Sequence, residues 1–279
     1  MNKQQSIFRI PLMFLAMLTL LSATWAGLLR LGWQLPPLRP SLALSHGPLM
    51  VAGFFGTLIS LERAVAMGKP WTYLAPLLSG VGGLISAVGI LGNLGPVLLT
   101  LGSLGLVMIF VAVLRKHLAS YTVVMALGAL ALLAGNLLWL SGWQVFKLVL
   151  WWGGFLILTI AGERLELSRL IQPSRMARWL NYVAIGIYIS GLVLMLFQYE
   201  PGIRLTSLGL IGMAVWLLRF DIARRTVKQS GLTQFIAVCL LSGYLWMIIS
   251  GVIGLAYAGV TAGPIYDSML HAIFLRSEE

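Results

Sequence analysis

Apolar residues run along the chain in long, nearly uninterrupted blocks, with neither the alternation of a strand nor a recurring polar face. Ten blocks are visible, at residues 7–30, 41–61, 72–93, 95–114, 118–140, 145–162, 178–198, 203–219, 232–258 and 263–275. About 20 apolar residues in a helix cross the hydrocarbon of a bilayer. In lipid, only helices and closed barrels satisfy every backbone polar group. Blocks this long, joined by connections as short as Gly68-Lys69-Pro70 and Ser141-Gly142, predict an all-α, polytopic transmembrane bundle. It has nine full spans and a short tenth helix, in a single integral membrane domain. The tenth block opens at Pro264 and soon gives way to Arg276-Ser277-Glu278-Glu279. Helical rise makes it too short to cross a bilayer, so it is expected to be either re-entrant or a shortened form of a longer helix.

Charge orients these spans. With the N-terminus in the cytoplasm, every Lys and Arg falls at a cytoplasmic end except Arg30, Arg39, Lys147 and Arg204. That is the positive-inside pattern of a multi-pass inner-membrane protein. It also accounts for the net charge of +11 without nucleic acid, because the basic residues sit in short loops against an anionic leaflet and do not line a groove. Composition agrees: 59% of residues are hydrophobic and only 10% are charged, against about a quarter charged in soluble domains. The partner these numbers imply is the lipid bilayer. The single cysteine, Cys239, lies in an apolar span. It rules out an intrachain disulfide, a thiolate zinc site and covalent c-type haem attachment. The first block is longer than a signal-peptide core and no A-x-A site follows it, so it is expected to remain as a helix.

Two segments, around residues 45–65 and 146–166, share a weak internal repeat. Leu49, Gly53, Phe54, Ile59, Glu62 and Arg63 correspond to Leu150, Gly154, Phe155, Ile160, Glu163 and Arg164. Each segment ends in Glu-Arg at the cytoplasmic side. Adjacent residues on a helix do not face each other, so Glu62 and Glu163 are expected to pair elsewhere. Arg63 and Arg164 are expected to complement the helix dipole and snorkel to the interface. Proton entry from the cytoplasm is the functional alternative for these four residues. Gly80–Gly83 and Gly102–Gly105 read as close-packing faces, and Asn136, Asn181 and Gln234 as hydrogen bonders between helices. No Ser/His/Asp set, HExxH or paired-carboxylate arrangement points to a turnover enzyme.

Of the three histidines, His117 follows Arg115-Lys116 in a turn, while His46 and His271 lie inside apolar blocks. Ionisable residues within membrane spans are candidate functional groups. His46 precedes Pro48, which removes a helical N–H and crowds the carbonyl of Leu44. Span length favours a second helix that starts near Ser41 and kinks at the histidine. Span order places both histidines near the same, outer side. Two neutral imidazoles in a dry bundle suit the axial positions of a b-type haem. The other readings are interhelical hydrogen bonds and proton transfer. Met50, one turn after His46, adds a His/Met copper alternative.

The run His46-Gly47-Pro48-Leu49-Met50-Val51-Ala52-Gly53-Phe54 resembles the "H…M…GF" helix of NnrS-type membrane proteins, and Leu270-His271-Ala272 resembles the start of a later helix in that family. The resemblance implies a haem- or copper-containing membrane protein tied to the nitric oxide or redox stress response, with His46 and His271 as ligands. More distantly, histidines on helices two and ten resemble the low-spin haem ligands of haem-copper oxidase catalytic subunits. The further histidine cluster of those enzymes is absent from this sequence, which speaks against oxygen reduction. A small-molecule permease, or a membrane scaffold without ligand, is the competing expectation.

Overall fold

The structure is a computed structural model that describes residues 3–274. Leu275 and the Arg276–Glu279 tail, on which part of the expectation for the tenth helix rests, lie outside the described residues. No strand occurs among the described residues. Among the described residues, nine helices are long and apolar enough to cross a membrane. They are α1 (Lys3–Arg30), α2 (Leu42–Met67), α3 (Pro70–Val88), α4 (Leu94–Lys116), α5 (Ser120–Leu140), α6 (Val145–Ser168), α7 (Arg175–Leu194), α8 (Tyr199–Phe220) and α9 (Leu232–Ala256). A one-turn helix, Ala223–Thr226, follows α8, and a short α10, Pro264–Phe274, follows α9.

Local chemistry sets several of the helix ends. After α1, Gly32 takes φ of 86° while Trp33 N–H donates to Leu28 C=O and Gly32 N–H to Leu29 C=O. After α5, Gly142 takes φ of 82° with the same pair of bonds, to Leu138 and Trp139. This closure satisfies the last carbonyls of a helix and needs a left-handed residue that only glycine adopts at little cost. Ser174 caps α7, its Oγ accepting from Ala177 N–H at 3.2 Å.

Contacts divide the chain into two compact units, Met1–Phe155 and Leu156–Glu279, and the division falls within α6. In the first, α1 packs on α2 and α3, and α3 and α4 form a close hairpin that continues to α5. Lipid tails are as apolar as leucine, so burying hydrocarbon drives little helix association in a membrane. Small residues that let backbones approach supply the contact instead. A Cβ on Gly82 would sit 2.8 Å from Leu99 N, and one on Gly105 would sit 2.9 Å from Ala75 Cβ. Gly102 likewise lies against Ser79. The glycine-rich stretches are therefore close-packing faces, as their sequence implies. Asn136, fully buried on α5, donates to Leu99 C=O at 3.2 Å and accepts from Trp152 Nε1 at 3.0 Å, tying α4, α5 and α6 together.

The second unit is built on the α7–α8 hairpin, with α9 on α8 and α10 on α9. Gly191 abuts Thr206 and Gly209 abuts Tyr188 at contact distances that leave no room for a side chain. Trp216 Nε1 donates to Ala177 C=O at 2.6 Å. Ser250 Oγ donates to Met269 C=O at 2.7 Å and fastens α10 to α9. Gln234, expected between helices, is exposed. It sits in the first turn of α9. Large apolar side chains such as Leu21, Leu101, Val215 and Leu245 point outward. That inversion of a soluble surface is what a bilayer solvates. The chain is an all-helical, multi-pass membrane protein.

Candidate functional site

The second span is wound irregularly around its histidine. It opens as a 3₁₀ turn over Leu42–Ser45, passes through an α-turn at His46–Pro48, widens to a π-helix over Leu49–Phe55 and returns to α-helix at Gly56–Met67. The start at Leu42 agrees with the long form of the span. Pro48 has no N–H to give. Leu49 N–H bonds the near carbonyl of His46, and Gly56 N–H reaches five residues back to Val51. A wide turn of this kind is rare and recurs at functional sites. It also brings Gly53 against α1 and α3: a Cβ there would meet Thr19 Cγ2 at 2.5 Å and Gly83 Cα at 3.5 Å.

His46 is part-buried, and its Nδ1 lies 2.9 Å from Ala23 C=O on α1. A carbonyl only accepts, so Nδ1 carries the proton. In the neutral ring Nε2 then holds the lone pair. Gly27, one turn on from Ala23, makes room for the ring: a Cβ there would sit 2.9 Å from Nδ1. Ser45 beside it is buried and accepts from Arg39 Nη2. Burial lowers the pKa of Arg39 from its ordinary value. Met50 packs against the apolar cluster of Ala23, Ala26, Leu42, Leu49 and Ala87, a setting in which its thioether fills core space.

In the second unit, His271 on α10 repeats the pattern, with Nδ1 2.7 Å from Asp267 C=O one turn earlier. Both membrane histidines thus present the same tautomer. Metal-ligating histidines ordinarily have their second nitrogen engaged in this way. Among the described residues, no three or more His, Cys, Asp or Glu side chains converge as a metal site.

The two Glu-Arg pairs behave differently from expectation and from each other. Arg63 Nη2 donates to its own neighbour Glu62 Oε1 at 3.1 Å, with the Glu62 side chain 60% exposed. The expectation that Glu62 pairs elsewhere is corrected: two long side chains at a helix end bend toward one another although their Cβ atoms diverge. Glu163 is part-exposed. Arg164 does not snorkel. It turns inward to Asp221, with Nε–Oδ2 at 2.7 Å and Nη2–Oδ1 at 3.0 Å. Tyr244 OH donates to Oδ2 at 2.6 Å, and Ala223 N–H donates to Oδ1 at 2.7 Å.

Asp221 was not legible as a site residue, and its side chain is fully buried. Each of its oxygens receives two donors, which nearly exhausts what a carboxylate accepts. A fully satisfied network of this kind rigidifies the elements it joins. It joins the end of α6, the end of α8, the one-turn helix and the middle of α9. Arg164 is the member of that network contributed by α6.

No curated protein and no solved structure matches the chain. Residues 9–276 match the family described as "Domain of unknown function (DUF8744)", and the chain belongs to that family.

Proposed function

We propose that this is an inner-membrane protein, N-terminus in the cytoplasm, that binds a b-type haem through His46 and His271 and serves the nitric oxide or redox stress response. The observation that carries the reading is the shared tautomer: each Nδ1–H is given to a main-chain carbonyl, Ala23 or Asp267. That bond fixes the ring and raises the basicity of Nε2. The role in nitric oxide or redox stress rests on the resemblance of residues 46–54 to the NnrS-type helix. When bound, the haem would supply one-electron chemistry. The chain's own part is to hold two ring nitrogens in fixed orientations and exclude water with apolar walls.

The test is the absorbance of the full chain, purified from haem-replete cells and recorded oxidised and reduced. A Soret band is expected in the native protein. It should be lost in His46→Ala and in His271→Ala, while both variants still insert, because insertion depends on the apolar spans. A native protein with neither a Soret band nor bound copper defeats the proposal. A second reading, a small-molecule permease, draws on the 3₁₀–α–π winding of α2, since irregular helices line the pathways of transporters. Substrate flux in vesicles that persists in His46→Ala would favour it.

A further inference from the structure

We infer that the second unit carries a binding site for an anionic phospholipid in the groove between α8 and α9. The groove has a volume of about 580 Å³, within the roughly 300–1,000 Å³ range of small-molecule sites. Leu218 on α8 and Val238, Leu241 and Leu245 on α9 form its walls, and Arg219 and Arg224 line it as well. The two arginines stand where α8 ends and the one-turn helix begins. Val215 lies one turn further into α8, and Leu245 lies well inside α9. Charge therefore sits at the helix ends and hydrocarbon runs inward, the polarity of a phospholipid with its phosphate at the interface.

Three further features favour that occupant. Arg224 Nη1 donates to Arg219 C=O at 3.2 Å, and the Arg219 guanidinium lies 5.4 Å from the Phe220 ring centre, so both cations are held at the same place. Asp221, the adjacent acid, is turned away and taken up by Arg164, Tyr244 and Ala223 N–H. It therefore does not neutralise them. Of the nine spans, α9 has the least buried apolar window, at 22%, which leaves its side of the groove open to lipid. Guanidinium groups pair with phosphate oxygens through two parallel N–H donors. Basic clefts between membrane helices are suited to such headgroups. The inference is independent of the haem proposal, since its residues lie on α8, the one-turn helix and α9, whereas His46 lies on α2 and His271 on α10.

The experiment is native mass spectrometry of the full chain in mild detergent, titrated with phosphatidylglycerol or phosphatidylethanolamine. Phosphatidylglycerol should bind about thirtyfold more tightly, since the two interfacial arginines contribute on the order of 1 kcal/mol each. Arg219→Gln/Arg224→Gln should remove that preference with unchanged thermal unfolding, both side chains being exposed. Leu241→Trp, which fills the groove and keeps the charges, should also lose the lipid, and it carries the test if the double variant does not fold. Arg175→Gln/Arg178→Gln, basic residues elsewhere, should change nothing. Equal retention of the two lipids, an unaltered preference in either groove variant, full competition by inorganic phosphate, or a change of oligomeric state with no lipid bound would each overturn the inference.

Discussion

Replacing Asp221 with Ala removes the acceptor for four hydrogen bonds at once: two from Arg164 and one each from Tyr244 and Ala223. The Arg164 side chain is only 15% exposed, so its charge is left largely unsolvated. Removing one member of a buried pair costs about 3–5 kcal/mol, most of it the penalty of the stranded partner. The hydroxyl of Tyr244 and the amide of Ala223 add to this, though not additively, because all three donors share one carboxylate. Single hydrogen bonds between membrane helices average only about 0.6 kcal/mol. An effect of 3 kcal/mol or more therefore separates a charged network from ordinary helix contacts. The assay is reversible unfolding in mixed micelles, followed by tryptophan fluorescence, for Asp221→Ala, Arg164→Met and the double variant. The double variant should be less damaged than the sum of the two, because it strands no charge. Asp221→Asn should fall between, keeping an acceptor for Ala223 N–H and losing the ion pair. A loss below about 1 kcal/mol in Asp221→Ala, or strict additivity in the cycle, would refute the network as a stabilising centre.

Gly53→Ala would press a methyl to 2.5 Å from Thr19 Cγ2, whose hydroxyl is tied to Leu15 C=O at 2.9 Å. A loss of about 1–3 kcal/mol is expected from overpacking. Thr19→Ser, which deletes that methyl and keeps the hydroxyl, should recover part of it in the same unfolding assay, and no recovery would place the strain elsewhere. Reporter fusions at Lys69, Lys116 and Arg225 should all report cytoplasm, and a periplasmic signal at any of them would undo the proposed orientation.

The spans were readable because their signal is long and redundant: some twenty apolar residues specify a membrane helix whatever their order. The close-packing glycines were readable for a related reason, since a stripe of small residues has few other uses in lipid. The inward turn of Arg164 came from an interaction whose partner is invisible along the chain. Arg164 and Asp221 are 57 residues apart, and nothing local marks them as partners. The available clue was scarcity. With only 8 acidic residues in the chain, an aspartate immediately after an apolar span, beside Phe220, is an expensive placement that asks for a counter-charge.

The π-turn of α2 shows the limit differently. Pro48 predicted a disturbed helix, and the helix is disturbed. A proline fixes only which N–H is missing, however, and not how the chain redistributes its carbonyls. Here the redistribution follows from packing. The wide turn is what seats Gly53 against Thr19 and Gly83, while His46 reaches Ala23 on the same neighbouring helix. The proline, the two glycines and the histidine therefore act as one local solution. The histidine's tautomer is set by the backbone of α1, a fact that belongs to the fold and not to the sequence pattern around His46.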